Sequence, residues 1–288
     1  MSAFEFCQQD VAPRFSDWAF ASASMSATQQ AELFGVLSCA QRVADIPHRA
    51  SEMQVATAQI SWWQQQLAAV AEQDTQQPYK NLAATEITIH PSLVAMQSLL
   101  QREPQALSWL TQLLEHTNED LQFAGFQQES ELTHFWQHRH RPLWSLKLAV
   151  FRQPFAESWL PLAALAEWVQ VLKRWPTLMA DGVVYLPESW LAEQQLTISD
   201  LVEKKAPNAL PTLLANISAR IRSQANTALS SLSPETRTQT QPLLRWLHLQ
   251  NAWLKATERA GFPLYDYRLE LGSLQKRFVV WRAARASF

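Results

Sequence analysis

Apolar residues recur at helical spacing through nearly the whole chain, and this period restricts the fold more than any other feature. In residues 31–44, Leu33, Phe34, Leu37, Ala40, Val43 and Ala44 make the i, i+3, i+4, i+7 stripe of a core-facing helix. Residues 52–71 repeat the pattern through Val55, Ile60, Trp63, Leu67 and Val70, with a Gln-rich opposite face. Pro91 opens the next helix at its first turn; it ends near Arg102, Glu103 and Pro104, and residues 105–116 follow. Helices are also predicted over residues 129–151, 157–175, 209–232, 234–260 and 268–286. Strand-like alternation is confined to residues 85–89 and 183–186. The breaks, at 73–78, 118–125, 176–187, 206–211, 230–234 and 261–263, are all short. That pattern predicts one continuous all-α domain over residues 1–288. No repeat of 20 to 50 residues points to a solenoid.

Composition narrows the function classes. Only 5 glycines occur, which argues against tight strand turns and phosphate-cradling glycine loops, and neither a G-x-G-x-x-G nor a Walker motif is found. With 24 Lys and Arg against 26 Asp and Glu, the net charge of −2 excludes a nucleic-acid binder driven by bulk charge. Cys7 and Cys39 stand far apart with no C-x-x-C and no Cys/His zinc spacing, so neither a disulfide framework nor structural zinc is expected, and the expected compartment is a reducing cytoplasm. The first residues lack the basic start and apolar run of a secretory signal, and no stretch of 18 apolar residues occurs, so the expectation is a soluble or at most peripheral protein. Tryptophan is the outlier, with 13 copies. The ordinary reading is large core side chains in a helical protein; an aromatic-lined cavity or an interfacial belt is the alternative.

Two polar constellations stand out. Glu131, His134 and His138 share one helix face, with His140 beyond, but the partner Glu-x-x-His that a di-metal bundle needs is absent. His138, Arg139, His140 and Arg141 read instead as a solvated face. The C-terminal run of Arg268, Lys276, Arg277, Arg282 and Arg285, interleaved with Leu269, Leu271, Leu274, Phe278, Val279 and Trp281, reads as a packed helix with a solvated side. It leaves open a peripheral membrane or anionic-lipid contact at the inner membrane. No G-x-S-x-G elbow or zincin motif is present.

The stretch Asp181-Gly182-Val183-Val184-Tyr185-Leu186-Pro187-Glu188-Ser189-Trp190-Leu191, followed by Thr197-Ile198-Ser199-Asp200-Leu201, resembles the G-R-x-Y-L-P region of the squalene/phytoene synthase family. Upstream, Leu37-Ser38-Cys39-Ala40-Gln41-Arg42-Val43-Ala44-Asp45 is similar to the family's first motif helix, and Ile60-Ser61-Trp62-Trp63 to its paired Trp. The resemblance implies an all-α isoprenoid synthase bundle around a deep apolar cavity, with Trp136, Trp144, Trp159 and Trp168 on helices around it. It implies chemistry that rests on two Asp-x-x-x-Asp motifs, in which carboxylates at i and i+4 share a helix face and hold Mg²⁺ against a substrate diphosphate.

This chain departs from that pattern. The first motif reads Asp45-Ile46-Pro47-His48-Arg49, and the second places Arg174 and Leu178 at the two acidic positions. The departures resemble the family's non-catalytic mitochondrial complex I assembly-factor branch, with Ser51-Glu52 and Trp62-Trp63 in common but Gln59 and Gln64 where that branch shows Arg. The expectation is a protein without Mg²⁺-dependent condensation and with no cofactor, acting as an isoprenoid- or lipid-binding or assembly factor. Asp45 is the only retained acidic position. Arg42, Arg49, Lys173, Arg174 and Tyr185 are the candidate ligand residues for a prenyl diphosphate or lipid-like ligand. The alternatives are an active head-to-head prenyltransferase using Mg²⁺ with Asp45 and Glu52, and a structural scaffold for protein partners with its cavity filled by indoles.

Overall fold

The computed structural model describes residues 1–50, 52–76, 89–204, 209–266 and 269–283. The chain divides into two compact units: residues 1–123 with 141–155, and residues 124–140 with 156–288.

In the first unit, α1 (Ala3–Val11), α2 (Asp17–Ala21) and α3 (Ala27–Ala44) begin at Ser2, Ser16 and Ser26, whose hydroxyls accept the backbone N–H groups of Glu5, Ala19 and Gln29. Glu5 and Gln29 complete capping boxes at α1 and α3. The hydroxyl takes an orphan N–H that a free helix start leaves unpaired, which is why these starts are sharp. α4 (Ile46–Arg49), α5 (Met53–Gln76), α6 (Pro91–Ala95), α7 (Gln97–Arg102) and α8 (Ala106–Asp120) follow. The helix expected from Pro91 is broken at Met96 into α6 and α7.

α3 is the spine of this unit, packing against α1, α6 and α8. Its contact with α6 depends on Gly35: a Cβ there would lie 2.7 Å from the Ser92 carbonyl oxygen and 3.0 Å from Met96 N, so only glycine fits. Glu32, 1% exposed, ties α3 to α7 by accepting from Arg102 Nη1 and Nη2 (2.8 and 2.9 Å) and from the Ser98 hydroxyl (2.6 Å). An unpaired carboxylate at that depth would cost several kcal/mol, so pairing is a condition of burying it. Leu33, Phe34, Leu93, Met96 and Leu99 are buried core residues of the same helices and of the turn between α6 and α7.

α9 (Glu129–Val150) runs through both groups of residues, with Pro142 inside it. Its stripe Leu132, Trp136, His140 and Trp144 is buried. His140 therefore departs from the expected solvated face, because the i+4 step that buries Trp136 also turns His140 inward.

In the second unit, α10 (Leu160–Lys173) lies against α14 (Ala209–Ser231) and α16 (Gln241–Arg259). The indole N–H of Trp168 donates to Ser218 Oγ (2.9 Å), which satisfies the one polar atom of a fully buried tryptophan. α11 (Trp175–Ala180), α12 (Glu188–Glu193), α13 (Ile198–Val202), α15 (Pro234–Gln239) and α17 (Ser273–Ala283) complete it. The helix expected over 234–260 breaks at Thr240. Residues 183–186 form a loop, and residues 85–88 of the other strand-like scrap lie outside the described residues. No helix among the described residues is long and apolar enough to cross a membrane. Cys7 and Cys39 are buried free thiols, and burial pushes them up to about 11 and about 12.

Candidate functional site

The first motif lies where α3 stops. Asp45 caps α3, its N–H donating to the Gln41 carbonyl (2.9 Å), and α4 starts with Pro47 in its first turn. A proline has no N–H to lose at a helix start, so the break converts a disruptive residue into a tolerated one. Arg49 reaches back across the i,i+4 spacing and places Nη2 2.8 Å from Asp45 Oδ2; the two side chains are 68% and 17% exposed. Arg42 is held by Asp10 through Nε (3.1 Å) and Nη2 (3.0 Å), while Ser38 donates to the same carboxylate and Arg42 lies 4.7 Å over the Phe6 ring.

Arg42, Ile46, Arg49, Gln59, Trp62, Trp63 and His90 line a pocket of about 390 Å³. His90 packs against both indoles, with centroids 5.9 Å from Trp62 and 4.8 Å from Trp63. Burial, and then the Arg42 guanidinium, push the His90 ring down to about 4, so it is neutral at pH 7. Its Nδ1 accepts the Ser92 N–H (3.2 Å) and caps α6. The pocket thus combines an aromatic wall with two guanidinium groups, each facing a carboxylate. An anion entering it competes with Asp10 and Asp45 for those cations.

The second motif lies where α10 stops. Arg174 caps α10, its N–H donating to the Gln170 carbonyl (3.0 Å), and Pro176 sits in the first turn of α11. Leu178, at the other motif position, is 2% exposed. A pocket of about 440 Å³ lies beside this junction, with Lys173, Arg174, Thr177, Trp253, Thr257, Tyr265 and Asp266 in its wall. Lys173 Nζ donates to Gln250 Oε1 (3.0 Å) and stands 5.2 Å from the Trp253 ring centroid. The buried Thr257 hydroxyl has no hydrogen-bond partner among the described residues. Tyr265 donates to the Leu201 carbonyl (2.7 Å), and burial raises its pKa, which keeps it a donor.

Tyr185 lines neither pocket. Gly182, at φ +69°, turns the chain out of α11, and the Val183 N–H closes the turn on the Leu178 carbonyl (2.8 Å). The loop then carries buried Val184 and Leu186. The N–H groups of Glu188 and Ser189 pin it to the carbonyls of Phe126 and Gln127 (2.9 and 3.1 Å). Tyr185 packs among Phe126 and Phe135 at 6.3 and 6.1 Å. Its surroundings are those of a loop anchor.

A third pocket, of about 630 Å³, is walled by Leu132, Trp136, His140, Leu160, Pro161 and Ile221. At its rim Glu129 takes Arg220 (2.9 Å) and the Trp190 indole N–H (3.0 Å). Glu131, from the predicted Glu/His face, accepts the N–H groups of Gln127 and Gln128 (2.6 and 3.2 Å) and so serves as a helix cap.

The family's Mg²⁺ chemistry can be tested against the donor set. The resemblance puts Asp45 and Arg49 at the acidic positions of the family's first motif and Arg174 and Leu178 at those of its second. A Mg²⁺ site needs several oxygen ligands at close to ideal geometry. Taken by itself, the first pair offers one carboxylate, already facing a guanidinium, and the second offers none, so neither fits the ion. Sequence reasoning missed Asp10, His90, Thr257 and Tyr265, which lie far along the chain from the motifs they join. It also missed Gly35 and Glu32, for which a glycine and a carboxylate inside a helical stripe were the signal.

The squalene/phytoene synthase family model matches residues 16–282. Among solved structures, the chain is similar to squalene synthase HpnC from Alicyclobacillus acidocaldarius, at 16% identity and a TM-score of 0.66, covering 90% of this chain and 94% of that one. It is also similar to a dehydrosqualene synthase in complex with ligand, at 14% identity and a TM-score of 0.77, covering 98% and 95%. No curated sequence matches. The likeness bears out the all-α isoprenoid synthase fold.

Proposed function

The chain belongs to the squalene/phytoene synthase family, and from that premise we propose that it binds an isoprenoid or lipid-like ligand, or serves as an assembly factor, without metal-dependent prenyl-diphosphate condensation. The observation that carries the reading is the Asp45–Arg49 pair: an ion pair of 2.8 Å occupies the i,i+4 spacing at which the family sets two carboxylates. Leu178, buried at the second motif, supports it.

In this reading Arg49, the more exposed guanidinium, meets the acidic head of the ligand, with Arg42 held behind it by Asp10. Trp62 and Trp63 take the first apolar part of the chain beside it. Lys173 and Arg174 offer a second cationic surface of the same kind. The donor set supplies no metal to neutralise a departing diphosphate, so the allylic bond stays intact. The protein works in a reducing cytoplasm, where Cys7 and Cys39 stay thiols, with at most peripheral contact with the inner membrane.

One observation favours a second reading, a scaffold for protein partners. Trp144, Trp159, Trp168 and Trp175 are each at most 2% exposed, so these indoles fill core volume.

The test is diphosphate release from farnesyl and geranylgeranyl diphosphate with Mg²⁺ or Mn²⁺, with melting curves on the same samples. The expected result is no release above the Asp45→Ala variant, and a ligand-dependent rise in Tm that Arg49→Ala with Arg174→Ala removes. Release above that control overturns the reading. The absence of both release and a Tm rise leaves the scaffold.

A further inference from the structure

We propose that α17 is a docking helix for an anionic phospholipid surface. It packs against α16, and Ser273, Lys276, Val279, Val280 and Ala283 on it are half-buried. Its other side presents Leu274, Phe278 and Trp281, which are 80%, 54% and 57% exposed. Spacings of four and three residues put these three on one line of the helix, within an arc of about 60°. Phe278 and Trp281 touch, with ring centroids 6.0 Å apart. Water is a poor solvent for such a strip, and an isolated protein gains nothing by exposing it.

Charge identifies the occupant. At about 100° per residue, Arg277 falls on one edge of the apolar strip and Arg282 on the other. The Arg282 guanidinium lies 5.7 Å over the Phe278 ring. The helix Ser273–Ala283 contains no Asp or Glu, so Lys276, Arg277 and Arg282 make it +3 within a protein whose net charge is −2. A second copy laid face to face would bring like arginines together. A bilayer carrying negative headgroups satisfies both halves of the face: Trp and Phe enter the interface, and each arginine reaches sideways to phosphate along its aliphatic stem. At about 1.5 Å per residue the helix lies in the membrane plane and is far too short to cross it. This assignment locates the peripheral contact of the functional reading on one helix, and it does not rest on the ligand site; vesicle binding and prenyl-diphosphate binding can fail separately.

The experiment is co-sedimentation of the full chain with vesicles of phosphatidylcholine containing about a third phosphatidylglycerol, and with vesicles of phosphatidylcholine alone. The wild type is expected to pellet with the anionic vesicles and to be released by salt. Leu274→Ser with Phe278→Ser and Trp281→Ser should lower the partition coefficient at least about tenfold, and Arg277→Gln with Arg282→Gln about fivefold per arginine at low salt. All five side chains are exposed, and an unchanged Tm checks the fold of the variants. A second reading needs no folded multiple variant: acyl-chain-brominated lipid should quench wild-type fluorescence more than that of Trp281→Phe. Equal binding to neutral vesicles, wild-type binding retained by the triple variant, or no binding at all overturns the proposal. A dimer that the triple variant abolishes, with no vesicle binding, gives the face to a second copy and overturns it as well.

Discussion

The two junctions, α3 to α4 and α10 to α11, are built alike and filled differently. In each, a long helix ends, a single residue caps it through an N–H to the carbonyl four residues back, and a proline follows two residues later in the first turn of a short helix. The contents diverge. At the first, Asp45 faces Arg49 across i,i+4 with Arg49 mostly in water. At the second, Arg174 caps the helix and Leu178 is driven into the core. The backbone device is thus independent of the acidic chemistry. In the first junction a carboxylate is neutralised by a partner, and in the second its place is taken by hydrocarbon. Restoring acids should therefore be easy at one site and ruinous at the other.

The sharpest way to break that contrast is to install the missing carboxylates one at a time. Leu178→Asp should cost about 4 kcal/mol or more, because it buries an unpaired charge and empties an apolar site. Arg49→Asp, at an exposed position, should cost less than about 1 kcal/mol. Urea unfolding of both variants checks this, and equal losses would remove the distinction between the junctions.

A smaller effect is expected from the support of the first junction. Asp10→Ala strips Arg42 and Ser38 of their shared acceptor and should cost about 2 kcal/mol. Lys173→Met, whose ammonium has Gln250 and a ring face for company, should change stability by less than about 1 kcal/mol. Melting temperatures of the two variants measured side by side give the comparison.

The gentlest effect at ordinary pH is a slope. His90 in the first unit and His248 in the second are both pushed down to about 4, each by burial first and then by a nearby cation, Arg42 or Lys255. Their folded pKa values lie below the ordinary unfolded value of about 6.5, so between those limits the unfolded chain binds more protons. The stability present above pH 6.5 is then lost as pH falls toward 4. His90→Gln should flatten the fall in urea midpoint over that window and leave the His248 share. A slope unchanged by His90→Gln would mean that His90 titrates alike in both states.

Most of the secondary structure was legible because burial on one face writes a 3.6-residue period into the chain. The helices expected over 31–44, 52–71, 129–151 and 209–232 appear as α3, α5, α9 and α14. The misses have particular causes. α1 and α2 escaped because they are short, and their starts are marked by Ser2 and Ser16 more than by an apolar stripe. The breaks at Met96 and Thr240 interrupt patterns that remain helical on either side. His140 was misread because a polar neighbourhood hid the i+4 register that buries it.

By itself, the sequence determined the all-α class, the two altered motifs and the places where prolines stop helices, since these follow from local spacing and backbone sterics. Only the tertiary structure decided that Arg42 arrives paired with Asp10, that Arg49 closes on Asp45, that Leu178 is core and that Tyr185 anchors a loop. It also decided that Leu274, Phe278 and Trp281 face water while Ser273, Lys276, Val279, Val280 and Ala283 are half-buried on the helix that packs against α16. The reason is physical. A helical period states that a face is buried, but charge pairing and exposure depend on which distant segment comes to lie against that face.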